Sequence, residues 1–296
     1  MNIQSLSIVV PTKNKCVKFC VSRTHTNPYS DKVSNCLKKK DKFWVDVDTT
    51  TIEYKDYFNR LQFARDNGCN VVILTGTGEP TQNFPFLKFF SETNSKLITP
   101  FKSIEIQSTG VLLDDISLKF LRNIGVTTIS LSISNVFDNE KNMSIIGCKD
   151  KLKFDMNEII SLIKKYDFNL RLSLNLVDDY DKYSVDEVLN KCKEMGADQI
   201  TFRKLYKSET NNEIDKWIEE NASSIFYDKI SEYVVKNGRY LGKLPFGASI
   251  YDIDEMSVVV DDDCMNEEVK DTYKYLILRE NGKLYSRWET KSSLIF

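Results

Sequence analysis

A repeated alternation constrains this chain most: six short β-branched runs end in polar residues, and segments with helical spacing lie between them. The runs are Leu6 to Pro11, Asn70 to Gly76, Ser103 to Ser108, Thr127 to Ser134, Asn169 to Val177 and Asp198 to Leu205. Their length and composition predict strands, several of them buried on both faces. Between them, Tyr54 to Asn67, Asp114 to Asn123, Asp155 to Tyr166 and Ser184 to Met195 are amphipathic. Gly68, Gly125 and Gly196 follow three of these as C-terminal stops. Ser184 and Glu187 have the spacing of a capping box. Strands separated by helices imply right-handed crossovers and a parallel sheet. An open doubly wound sheet and a closed or partly closed barrel both satisfy the pattern. Either one puts the chemistry at the C-terminal ends of the strands.

Past the sixth run the rhythm changes. Ile214 to Glu220 and Ser224 to Lys236 predict helices, with Asn237-Gly238 as a stop. Met256 to Val260 and Tyr273 to Leu278 predict strands, and Glu280-Asn281-Gly282-Lys283 reads as a hairpin turn into Leu284 to Trp288. No low-complexity linker and no further repeat is present. The expected organisation is a main unit, 1–206, with a C-terminal α/β extension, 207–296, packed upon it.

Composition narrows the function. Of 296 residues, 41% are hydrophobic and 11% aromatic, which excludes a disordered chain. Eleven glycines and six prolines are too few for a fibrous one. A net charge of -2 argues against sequence-independent nucleic-acid binding, which needs a basic excess. No apolar run reaches the roughly 18–20 residues of a membrane span, and the N-terminus has no secretory pattern. Seven cysteines, an odd count without an export signal, point to a reducing compartment, and a cytoplasmic location is expected. One histidine excludes two-Cys two-His zinc sites and three-His catalytic sites.

Two strand ends carry chemistry. The first run enters a loop in which Cys16 and Cys20 are spaced C-x3-C, with Phe19 before the second thiol and Arg23 after it. They read either as packing thiols or as iron–sulfur ligands. Lys13, Lys15, Lys18 and Arg23 would lower the thiol pKa values and help hold an anionic cluster, or form a solvated loop. The second run ends in TGTGEPT, Thr75 to Thr81. Gly76 and Gly78 allow close backbone approach to a ligand; Glu79 and Pro80 add a carboxylate and a rigid turn. The turn does not complete the dinucleotide fingerprint G-x-G-x-x-G.

Together these features resemble the radical S-adenosylmethionine (radical SAM) superfamily. There a C-x3-C-x2-C loop holds a [4Fe-4S] cluster, and a Gly-Gly-Glu-Pro-like turn binds the amino group of the methionine moiety. The resemblance runs from about Leu6 to Leu205 and implies a partial (β/α)6 TIM-type barrel. The C-terminal LILRENGKLYSRW is similar to the closing hairpin of several such enzymes. The resemblance implies Cys16 and Cys20 as cluster ligands, and Gly76, Thr77, Gly78, Glu79 and Pro80 around S-adenosyl-L-methionine. Gln107, Ser108 and Thr109, then Ser132 and Ser134, match regions that contact ribose and the methionine carboxylate. Asn175, Arg203 and Lys204 match positions for adenine, carboxylate or substrate, although strand alternation forbids Arg203 and Lys204 from both pointing inward.

The cysteine loop is atypical. A third cysteine would fall at position 23, where Arg23 stands. The best match sets Phe19-Cys20 against the aromatic–Cys end of the family loop and Cys16 against its first cysteine, with the middle cysteine missing. Cys36 and His25 are the candidate third ligands. Cys69 is expected at the wrong end of the sheet, Cys148 and Cys192 in the core or on helices, and Cys264 in an acidic segment.

The implied activity is cleavage of S-adenosylmethionine by a reduced cluster, fed by a donor such as flavodoxin or ferredoxin, to start radical chemistry on a substrate inside the barrel. The alternative is a cluster-free relative that binds S-adenosylmethionine or a nucleotide. Only Cys264 follows Cys192, so no cysteine-rich auxiliary-cluster domain is expected. A small or nucleotide-like substrate is expected over a peptide, and no membrane partner.

Overall fold

The β-branched runs become neighbours in a single sheet. The computed structural model describes residues 2–12, 17, 19–20, 54–147, 152–207, 212–244, 248–261, 272–288 and 291–296. Strands β1 (Asn2–Val10), β2 (Val71–Gly76), β3 (Ser103–Ser108), β4 (Thr128–Ile133), β5 (Asn169–Asn175) and β6 (Gln199–Arg203) lie side by side in chain order, all parallel. Helices α1 (Tyr54–Asp66), α2 (Phe84–Asn94), α3 (Asp115–Asn123), α4 (Asn139–Ile146), α5 (Met156–Lys165) and α6 (Val185–Glu194) fall between them.

The C-terminal region does more than pack on this unit. After α7 (Glu213–Asn221) and α8 (Phe226–Asn237) come β7 (Arg239–Lys243), β8 (Ser249–Ile253), β9 (Met256–Asp261), β10 (Thr272–Leu278) and β11 (Leu284–Tyr285). Strand β9 pairs parallel with β6, and β10 pairs parallel with β1 at the opposite margin. Antiparallel β8 and β7 continue one edge, and β11 ends the other. The result is an α/β fold with eight parallel strands in a row. Its sheet, ordered β11-β10-β1-β2-β3-β4-β5-β6-β9-β8-β7, is not closed.

Alternation along each strand separates the two faces. Leu6, Ile8, Val72, Leu74, Ile104, Ile106, Ile129, Leu131, Leu170, Leu172, Ile200 and Phe202 point outward into one core shared with the helices. The intervening residues are mostly polar, including Ser7, Glu105, Ser130, Ser173 and Asn175, all buried. The strands are therefore covered on both faces, but the inner covering is polar.

Local signals explain the helix ends. Ser184 and Glu187 form the expected capping box: the Glu187 N–H donates to Ser184 Oγ at 3.2 Å and the Ser184 N–H to Glu187 Oε2 at 2.8 Å. Gly68 and Gly196 follow α1 and α6 with φ of +84° and +77°, a backbone that other residues rarely adopt. Sequence periodicity misses α2, whose FPFLKFFSETN is apolar on several sides. Asn83 nonetheless starts it, its side chain accepting from the Phe86 N–H. Periodicity also misses β7 and β8, which lie at the sheet margin and whose residues are exposed or half-buried except Ile253.

Candidate functional site

A cavity of about 570 Å³ occupies the inside of the sheet. Its walls take residues from both ends of the strands, from Ser5, Val71 and Gln199 at the N-terminal side to Gly76, Ser108, Asn175 and Arg203 at the C-terminal side.

The cysteine loop reaches the upper mouth. The Cys20 N–H donates to the Val17 carbonyl at 3.1 Å, which makes a turn. Phe19 stacks on Trp217 of α7, with ring centroids 5.5 Å apart, and Val17 and Phe19 pack against Ile218. This apolar clasp leaves Cys20 half-buried on the cavity wall. Cys16, Arg23, His25, Cys36, Cys148 and Cys264, with Lys13, Lys15 and Lys18, lie outside the described residues. Cys69 and Cys192 are buried away from the cavity, and burial pushes each thiol up to about 12. No group of three or more metal-ligating side chains occurs among the described residues.

The glycine turn lines the same cavity. A Cβ on Gly76 would stand 2.8 Å from the Val10 carbonyl oxygen, so only glycine lets β2 end this close to β1. Gly76, Gly78 and Glu79 line the cavity. Thr77 does not; its hydroxyl meets that of Thr12 at 3.5 Å. Pro80 begins a buried 3-10 turn, Pro80–Gln82, behind the wall. Asn83, which sequence reasoning passed over, anchors the turn by donating from Nδ2 to the Pro11 carbonyl at 3.0 Å.

Glu79 is buried. Its Oε2 accepts from the Thr109 N–H and hydroxyl, and Thr81 donates to Oε1 at 3.4 Å. Burial raises its pKa above the ordinary carboxylate value, while hydrogen bonds from Ser108, Thr109 and Thr81 oppose the rise. An ammonium group placed here would complete the ion pair.

Gln107, Ser108, Ser132, Asn175 and Arg203 all line the cavity. Asn175 Nδ2 donates to Ser132 Oγ at 3.0 Å, joining the ends of β4 and β5. Ser134 is set apart, buried with its N–H donating to Asn142 Oδ1 of α4. Arg203 shares the inner face of β6 with Gln199 and Thr201, and its Nε is buried with no hydrogen-bond partner among the described residues. The Lys204 ammonium lies 5.1 Å from the Tyr227 ring on α8.

Deeper in the cavity stand residues that motif reasoning missed. Glu105, Arg171 and Gln199 form one cluster, and Asp261 and Lys274 another. The available signal was a charge inside a strand pattern, as in SIEIQS and NLRLSLN.

Neither a known family profile nor a curated protein matches the sequence. Solved structures do match. SuiB of Streptococcus suis bound to S-adenosylmethionine is 14% identical, with a TM-score of 0.58 over 96% of this chain and 60% of that one. Native anSMEcpe with bound AdoMet is 16% identical, with a TM-score of 0.56 over 99% of this chain and 77% of that one. Coproporphyrinogen III oxidase (HemN) of Escherichia coli, described as a radical SAM enzyme, is 11% identical, with a TM-score of 0.52 over 88% and 63%. The chain spans 60% of the length of SuiB. It has the fold of the radical SAM enzymes, with the expected parallel α/β architecture. No helix among the described residues is long and apolar enough to cross a membrane.

Proposed function

We propose that this chain is a radical SAM-type enzyme, holding a [4Fe-4S] cluster at the cysteine loop and S-adenosylmethionine at the Gly76–Glu79 turn. The observation that carries this reading is that Cys20 and the glycine turn line one cavity, in a fold also seen in S-adenosylmethionine-bound SuiB and anSMEcpe.

The residues fit the cofactors. Glu79, buried and raised in pKa, suits the methionine ammonium. Arg203, with its orphaned Nε, suits the carboxylate. Ser132 and Asn175 offer a hydroxyl and an amide to ribose or adenine. Cys20, with Cys16, supplies thiolates to the cluster. When bound, cluster and S-adenosylmethionine supply one-electron chemistry that side chains cannot. The protein orients them: Gly76 and Gly78 admit the ligand against the backbone, the Phe19–Trp217 clasp fixes the loop, and the walls exclude water. Electrons come from a donor of the flavodoxin or ferredoxin class, in the cytoplasm.

A small substrate accords with a cavity of about 570 Å³, within the range for drug-sized ligands. SuiB and anSMEcpe have been solved with peptides, so a peptide is the competing substrate class. Arg23, standing where a third cysteine would complete the loop, favours a second reading, a cluster-free S-adenosylmethionine-binding module.

Anaerobic reconstitution with iron and sulfide separates the readings. The enzyme reading expects bound iron and sulfide and the release of 5′-deoxyadenosine after reduction. Trace iron together with S-adenosylmethionine binding by iron-free protein would establish the module instead. Trace iron with no binding would overturn both.

A further inference from the structure

The interior of a TIM-type barrel is ordinarily filled by layers of branched side chains. Here the lower half, towards the N-terminal ends of the strands, stays open and is lined by charge. Register places Gln107, Ser130, Arg171 and Gln199 in one row across β3, β4, β5 and β6. Arg171 is the centre of that row. Its Nε and Nη2 donate to Gln199 Oε1 at 2.9 and 2.6 Å, and its Nη1 donates to Glu105 Oε2. The guanidinium is thus fixed but not covered, since the side chain remains 30% exposed on the cavity wall.

Two polar atoms beside it are incomplete. Glu105 Oε1 and Ser130 Oγ are buried with no hydrogen-bond partner among the described residues. Orphaned buried polar atoms cost stability unless something satisfies them. A simple anion at Arg171 would meet the Glu105 carboxylate, and a simple cation at Glu105 would meet the guanidinium. A molecule carrying both charges meets both partners, and it leaves the formally neutral Glu105–Arg171 pair balanced. The rest of the lower lining is different: Val71 and Ile73 on the neighbouring β2, with Tyr275 and Trp288, give it apolar and aromatic surface.

We propose that the lower half of the cavity is a substrate subsite for a free α-amino acid with an apolar side chain. Its carboxylate lies on Arg171, its ammonium on Glu105, and its side chain against the Tyr275–Trp288 wall. That this ligand is the substrate rests on the radical SAM reading of the upper half; that it binds does not.

The test is calorimetry on the full chain with S-adenosylmethionine, with L-phenylalanine, L-tyrosine and L-leucine, and with 2-phenylethylamine and 3-phenylpropionate as single-charge controls. At least one amino acid binds, and the single-charge analogue of L-phenylalanine that lacks either group binds about tenfold or more weakly. Arg171→Gln and Glu105→Gln each weaken amino-acid binding by about tenfold and leave S-adenosylmethionine affinity unchanged. Failure of every amino acid to bind, or equal binding of the single-charge analogues, overturns the proposal. So does a parallel loss of S-adenosylmethionine binding in Arg171→Gln, which would make the lower half part of the cofactor site. If the variants do not fold, the analogue comparison on the unaltered chain decides. Amino-acid binding without S-adenosylmethionine binding would instead remove the cofactor reading and leave this subsite standing.

Discussion

Glu79 and Thr109 are joined twice: the Thr109 backbone N–H and hydroxyl both donate to Oε2 of Glu79, at 3.0 and 2.9 Å. These bonds link the turn after β2 to the end of β3 and hold the carboxylate at the cavity wall. They do not fully offset its burial, which keeps the pKa raised.

That shift has a definite sign. A carboxyl with a raised folded-state pKa keeps its proton where the unfolded chain has lost it, so stability falls as pH rises from the ordinary carboxylate value through the raised one. Glu79→Gln removes this dependence. The melting temperature of the variant minus that of the parent is expected to rise as pH increases above the ordinary carboxylate value of about 4, read by thermal melts across a pH series. Binding of an ammonium ligand should also release protons, seen as a binding heat that varies with buffer. A flat difference and a buffer-independent heat would contradict the assignment.

Gly76→Ala places a Cβ 2.8 Å from a backbone oxygen of β1, an atom that cannot swing aside. The expected loss is about 1–3 kcal/mol. Urea unfolding should report a lower midpoint at an unchanged slope.

Arg203→Met removes a cation whose Nε has no partner among the described residues. Stability is expected to change by less than about 0.5 kcal/mol or to rise, while S-adenosylmethionine affinity falls about tenfold or more, as for a lost charge-assisted hydrogen bond. Calorimetry and thermal melting on the same sample check both halves. An unchanged affinity would remove Arg203 from the binding site.

Lys274 and Asp261 lie 3.4 Å apart, each side chain 9% exposed, and connect β10 to β9 from opposite margins of the parallel strands. Lys274→Met should cost about 3–5 kcal/mol by stranding a buried carboxylate. The double variant Lys274→Met with Asp261→Leu should recover most of that loss in denaturant unfolding. Additive losses would mean that the pair does not join the two margins.

Much of the frame was legible in the residue pattern. The run Ser103 to Ser108 coincides with β3, and the runs around β2, β4 and β6 lie within two residues of the observed ends. Strand β1 starts earlier than its β-branched run because Asn2 to Ser5 carries little propensity, yet pairing with β10 and β2 extends it. In the site, Cys20, Gly76, Gly78, Glu79, Gln107, Ser108, Thr109, Ser132, Asn175, Arg203 and Lys204 line one cavity, whereas Thr77, Pro80 and Ser134 do not.

Local spacing could announce strands, helix stops and the glycine turn because each depends on residues a few positions apart. Burial of one face, a left-handed stop or a cap leaves its mark within that span. The lower half of the cavity left no such mark. Glu105 meets Arg171 across 66 residues, and β10 reaches β1 across the whole chain. Those encounters depend on register and strand order, and the attraction between the paired charges must offset the cost of withdrawing them from water. Until folding aligns the strands, each charge is only an odd polar residue in an apolar run.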